Sequence, residues 1–502
     1  MAQQEFAALN LNIKFTRGQR YLGGFIGSAE TKHEWIDGMV DKWASAVSTL
    51  AKFAVKYPQT AYAGFCFCLQ AEWQYMQRVV ADTAMFFAPV ENAIRKDFLP
   101  ALLGIPAGEI DGDLRLLLSH GVKMAGLGIR NPVDTAAHVH TASKDACSYL
   151  TDTLLSGERF DYGYHCKVVT DACAQARRLR LEREEDVLID RGRGKPAEKR
   201  RIKRNQVAGI WLALIPSRLN GNDLSAEEFR DNLRIRQNLA PENMPQTCDG
   251  CGDKMTVEHA LSCKVGGLVH VRHDDVADEF RHLCGCALSF GKVEREPRIF
   301  SSGTNQLTSA AAGVNQTTTT TNTQATQPPA QRPQQNTQQQ QQRNEQRHDS
   351  EPTGERGDAS CHGFWQRGRD AIFDIRITDT ECRSYRNRDH AKVLESQEKE
   401  KKKKYLASCH AMRKDFTPLV YSVDGIAGRE AKSAEKRLAS YLSVKWRRNY
   451  SEMVFYVRSR MALSVVRSNS LLIRGSRDRQ KPRRPLISDR ASMMDWQVRP
   501  EW

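Results

Sequence analysis

The chain has 502 residues, enough for several domains with separate cores. Its 75 lysines and arginines exceed 60 acidic residues by 15, a balance that suits a polyanionic partner. No uncharged apolar run approaches the roughly 20 residues a spanning helix needs, and MAQQEFAALNLNIKF lacks the basic and apolar regions of a secretory signal. A soluble chain in a reducing compartment, without membrane contact, is therefore expected, and its 13 cysteines are expected as thiols or metal ligands.

The first ~240 residues read as mostly helical by apolar period. Ile36, Met39, Val40, Trp43, Val47 and Leu50 recur at three- and four-residue steps and share one predicted helical face. Further helices are expected around AYAGFCFCLQAEWQYMQRVV and around VENAIRKDFLPALLG, where Pro100 should kink or end the element. Lys195 to Arg204 (KPAEKRRIKR) is a polar basic run that includes Arg200 and Arg201. It reads either as a nuclear import signal or as a phosphate-contacting or solvated loop. Ser225 and Glu228 form a capping box and mark a helix start.

Cys248, Cys251, His259 and Cys263 follow a C-x2-C-x7-H-x3-C spacing with glycines on either side. Thiolate and imidazole ligands in a closed set of four are what structural Zn2+ prefers, so this stretch reads as a zinc loop. RHDDVADEFRHLC reads next as a short amphipathic helix. From about Ser301 to Ser350 the sequence is Thr, Gln, Asn and Ala, with too little apolar surface to offset the entropy of ordering; a disordered insert is expected.

Beyond the insert, ASCHGFW and DAIFDIRIT read as strands joined by a turn at Gln366 to Arg369. A long polar helix with Asp389 as N-cap, a third strand (FTPLVYSVDG) and two further helices complete an expected α/β domain. On the last helix Met453, Val457, Met461 and Val465 share a face. Asp374 interrupts an otherwise apolar strand, and a charge there is costly without a partner or an ion. Phosphodiester hydrolysis with Mg2+ needs paired acidic ligands and a nearby cation. Asp358 and Asp374 are candidates for the acids, with Asp370 competing, and Lys401 to Lys404 can supply the cation.

The order of Cys/His loop, RHDD, acidic strand pair and lysine helix ending in Lys-Tyr resembles the C-terminal part of non-LTR retrotransposon proteins. The resemblance is to those with a restriction-like endonuclease of the PD-(D/E)XK kind. It rests on Cys248, Cys251, His259 and Cys263, on Arg272 and His273, on Asp358 in RGD, on Asp374 in FDIRIT, and on Lys401 with Lys404 before Tyr405. RGD stands where the family has Lys-Pro-Asp, and the Gln/Thr insert separates the Cys/His loop from the first aspartate. FTRGQRYLGGFIG is similar to the primer-grip segment closing a reverse-transcriptase palm, yet no Tyr-x-Asp-Asp motif occurs.

The resemblance implies a multidomain fold. A palm/primer-grip remnant (1–30) would precede a mainly α-helical thumb and linker (31–247) and a zinc knuckle (248–267). A first helical nuclease element (268–300), a disordered insert (301–352), an α/β restriction-like nuclease domain (353–475) and a basic tail (476–502) would follow. It further implies a Mg2+-dependent endonuclease that nicks target DNA to prime reverse transcription of element RNA, as the downstream portion of a longer element. Asp358 and Asp374 would hold Mg2+, with Lys401 or Lys404 beside the attacked phosphate. Arg272, His273, Lys195, Arg200, Arg201, Arg447 and Arg448 would contact nucleic acid. A location in the nucleus or the cytoplasm, and no small-molecule substrate, go with that reading. A catalytically inactive nucleic-acid-binding remnant is the alternative.

Overall fold

The computed structural model describes residues 16–299 and 355–478. Residues 1–15, the expected insert at 301–352 and the tail from 479 onward lie outside them.

Two short strands, β1 (Gly18–Tyr21) and β2 (Gly24–Gly27), form an antiparallel hairpin. Its turn needs positive φ at Leu22 and Gly23, 47° and 82°. Helix α1 (Ala29–Ala54) follows, with the Ser28 hydroxyl accepting from the Thr31 amide. Ile36, Val40, Trp43 and Val47 are buried as their spacing predicts, and Met39 and Leu50 are half-buried beside them. The next expected helix runs from Pro58 to Val79, with a π-turn at Phe65–Leu69. That turn brings Phe65 into stacked contact with Phe98, centroids 4.7 Å apart.

Pro100, expected to kink or end its helix, does not end it. A second π-turn, Ile94–Phe98, precedes it, and Pro100 falls in the first turn of Leu99–Leu103, where its missing amide costs little. Gly104, at φ 67°, terminates the element.

Helices α2 (Pro132–Ser156) and α3 (Tyr162–Gly192) pair as a long antiparallel hairpin, with Tyr149 stacked against Phe160 and edge-to-face with Tyr164 near its tip. The basic run is a helix, α4 (Pro196–Val207), rather than a loop. Arg201, Ile202, Arg204 and Asn205 along it are buried. Helix α5 (Ala226–Arg236) starts at the expected capping box, with both reciprocal bonds formed.

The remainder packs around a small mixed sheet. Helix α6 (Val257–Ser262) belongs to the Cys/His loop, and α7 (Leu268–Ala287) is a 20-residue helix, longer than the short one expected. A strand missed in the sequence, β3 (Val293–Arg295), opens a four-stranded sheet of order β3-β4-β5-β6. Its other members are β4 (Ala359–His362), β5 (Asp370–Thr378) and β6 (Asp415–Ser422). The first three strands are antiparallel, and β6 runs parallel to β5. A parallel neighbour needs a crossover; α8 (His390–Ala411), capped by Asp389, supplies it.

Helices α9 (Arg429–Trp446) and α10 (Tyr450–Arg474) close the fold. Met453, Val457, Met461 and Val465 enter the core with Phe280 of α7, Phe364 of the β4–β5 turn and Phe373 of β5. Helix α10 is also tied by charge: Arg460 forks onto Glu279 of α7 at 2.7 and 2.9 Å, and Arg474 onto Asp231 of α5 at 2.7 Å. The chain is thus mostly helical, with one small mixed sheet near its C-terminal end.

Candidate nuclease and metal centres

The Cys/His loop closes on itself before α6 begins. The Cys248 amide donates to the Asp253 carbonyl, the Gly252 amide to the Cys248 carbonyl, and Gly252 takes φ 79°. Thr256 caps α6 by accepting from the His259 amide, which aims His259 back at the turn. The four ligating atoms of Cys248, Cys251, His259 and Cys263 all lie within 4.8 Å of one another. Cys248 and Cys263 sulfurs are 4.0 Å apart, Cys263 and Cys251 sulfurs 3.9 Å, and Cys251 Sγ lies 3.3 Å from His259 Nε2. A tetrahedron with Zn–S bonds of about 2.3 Å has S–S edges of roughly 3.8 Å, so this set can hold a metal ion. Burial raises the Cys248 thiol, but the amides of Cys251 and Gly250 outweigh it and bring it down to about 6.

The loop does not stand apart. Asp249 accepts from the Ser476 hydroxyl at 2.6 Å and the Arg477 amide at 3.0 Å. Arg477 is only 1% exposed and donates to the Ala260 carbonyl on α6. A Cβ at Gly250 or Gly266 would come within 2.7 or 2.5 Å of Arg477, so both positions need glycine. The expected basic tail therefore begins as a strap across the Cys/His loop.

The acidic centre lies on the sheet. Asp358 immediately precedes β4, and Ala359 pairs with Phe373, which sets Asp358 beside Asp374 on β5. One Asp358 oxygen, Oδ2, accepts from the Ile375 amide at 2.5 Å and lies 3.1 Å from His273 Nε2 on α7. Asp374 is buried, and its Oδ2 lies 2.7 Å from Lys401 Nζ on α8. Burial raises the Asp374 carboxyl, Lys401 pulls it down, and the nearby Asp358 charge raises it further, for a net upward shift. For His273, burial lowers the imidazole, but Asp358 and Asp274 together outweigh that and lift it to about 9. Among the described residues no hydrogen bond reaches Oδ1 of either aspartate, and paired carboxylates are the hard oxygen donors that Mg2+ prefers.

The structure separates the alternatives left by the sequence. Asp370 is at the other end of β5 and pairs with His362 at 2.8 Å. Lys404 turns to Glu355 at 3.2 Å and over the Tyr405 ring, so Lys401 alone of the two candidates reaches the acids. Glu355 was not anticipated, and no spacing in the sequence marks it. His273, expected at nucleic acid, buttresses Asp358.

The other expected nucleic-acid contacts scatter. Arg272 is 3% exposed, its guanidinium lowered by burial to about 10 against the pull of Asp379. Arg201 is buried in an ion pair with Glu198. Both lack the open face that a polyanion needs. Lys195 is exposed just before α4, Arg200 is half-buried, and Arg447 and Arg448 sit in the turn between α9 and α10. No family model matches the chain, and no curated protein matches it.

Proposed function

We propose that the chain is a Mg2+-dependent DNA endonuclease of retrotransposon origin. It nicks one strand of target DNA so that the new 3′ end primes reverse transcription of the element's RNA. It acts in the nucleus. The observation that carries this reading is the meeting of Asp358, Asp374 and Lys401 from a strand entry, a strand and a crossover helix. Asp358 and Asp374 would hold the ion, and His273 and the Ile375 amide fix the Asp358 rotamer. Bound Mg2+ supplies charge neutralisation at the attacked phosphate and a more acidic water. Lys401 donates toward the attacking water and the phosphoryl oxygens. Zn2+ at Cys248, Cys251, His259 and Cys263 is structural, joining the loop to α10 through Asp249 and Arg477.

The catalytically inactive nucleic-acid-binding remnant is favoured by one feature: both aspartates already have internal cationic partners, His273 and Lys401. Incubation of the purified chain with supercoiled plasmid over a range of Mg2+ separates the two readings. Conversion to open circles supports the nuclease, and intact plasmid with retained binding supports the remnant.

A further inference from the structure

The segment between β5 and α8, DTECRSYRNRD from Asp379 to Asp389, has three acids and three arginines, so its sequence looks balanced. The fold sorts them. Asp379 accepts from the Glu381 amide at 2.9 Å, Glu381 lies 3.6 Å from the buried Arg204, and Asp389 is consumed in capping α8. Arg383, Arg386 and Arg388 all face solvent. Among the described residues none of their guanidiniums has an ion pair or a side-chain hydrogen bond, whereas Arg115, Arg204, Arg460 and Arg474 are all paired.

The segment is also braced. Cys382 carbonyl accepts from the Tyr385 and Arg386 amides at 2.8 and 3.0 Å, and the Arg388 amide donates to the Tyr385 carbonyl. Tyr385 Oη accepts from Gln397 of α8, and the Arg383 amide donates to Glu258 of α6 at 2.8 Å. One end is thus fixed to the helix that carries Lys401, the other to the helix that carries His259. Three cations on a fixed turn just beyond the strand of Asp374 form a surface for regularly spaced anions.

We propose that Arg383, Arg386 and Arg388 form a phosphate clamp for the backbone of duplex DNA, holding the strand next to the Asp358–Asp374–Lys401 centre. The clamp deepens the endonuclease reading and rests on it for the identity of the DNA, though not for the binding itself. Phosphate contacts position a duplex without reading its sequence. Each contact releases counterions, so three should contribute roughly 2–3 to the slope of log affinity against log salt.

The test is duplex binding by the full chain, without added magnesium, across a series of KCl concentrations. It compares the wild type with Arg383→Ala/Arg386→Ala/Arg388→Ala and with the triple Arg→Lys variant. The expected result is a slope shallower by roughly 2–3 and affinity about 10- to 100-fold lower for the alanine variant, with the lysine variant restoring the slope. An unchanged slope overturns the clamp, as does a lysine variant that stays as shallow as the alanine one, which would assign the arginines a structural role. A loss confined to single-stranded RNA also overturns it. Binding is read without cleavage, so plasmid that is never nicked while the slope falls would refute the nuclease and leave the clamp standing. Nicking with an unchanged slope would do the reverse.

Discussion

Lys401 on α8 and Asp374 on β5 are 2.7 Å apart, although they lie 27 positions apart in the sequence, and the ammonium covers one face of a buried carboxylate. The parallel crossover enforces this: β5 must be followed by a helix that returns over the sheet before β6 can pair beside it. A lysine one turn away cannot substitute. Lys404 already leans on Tyr405 and Glu355.

Lys401→Met is therefore expected to cut plasmid nicking by on the order of 100-fold or more, while Lys404→Met retains most of it. Nicking rates at saturating Mg2+ give the comparison. Similar losses in both variants would remove the special place of Lys401.

The Cys/His loop should behave as a structural element of the whole C-terminal half. The purified chain is expected to contain about one zinc per molecule by elemental analysis, and Cys263→Ser should lose it. Because Asp249 and Arg477 strap the loop to the end of α10, the loss should lower the melting temperature by on the order of 10 °C. Cys286→Ser, outside the cluster, should leave zinc content unchanged.

The Glu279–Arg460 fork joins α7 to α10 in the core, with side chains 7% and 4% exposed. Arg460→Leu would leave a buried carboxylate alone and should cost about 3–5 kcal/mol in urea unfolding. The Glu279→Leu/Arg460→Leu double variant should recover much of that. Burial raises the Glu279 carboxyl, but Arg460 outweighs it and holds it below the usual 4.5. This stability is present above pH 4.5 and lost as pH falls through the lower folded value.

Glu435 behaves in the opposite sense. Burial lifts its carboxyl from 4.5 to about 7, against the hydrogen bond from Tyr421 and the charge of Arg458. The protonated form is thus favoured in the fold. Its contribution is full below pH 4.5 and disappears as pH rises through about 7. Glu435→Gln should flatten the fall in stability between pH 5 and pH 8 by about 1–3 kcal/mol. An equally steep fall in the variant would place the titration elsewhere.

What could be read from the sequence was what local chemistry specifies. The capping box at Ser225, the Asp389 cap, the Met453–Val465 face and the Cys/His spacing each depend on residues within a few turns of one another. What escaped needed distant partners. The strand Val293–Arg295 is too short to show a period and exists through its pairing with Ala359–Cys361. That Pro100 does not end its helix could not be read, because the π-turn preceding it has no sequence mark. Asp374 drew notice as a charge in an apolar strand, but choosing between Asp358 and Asp370 required the register of β4 on β5. Arg201 and Arg272 looked available because sequence shows charge and hides burial.

Nicking of supercoiled plasmid by Asp358→Asn and Asp374→Asn, with DNA affinity measured alongside, decides whether the two carboxylates share one divalent ion. Mg2+-dependent nicking is expected from the wild type, none detectable from either variant, and duplex affinity within about threefold of the wild type in both. Nicking that survives either substitution would contradict it.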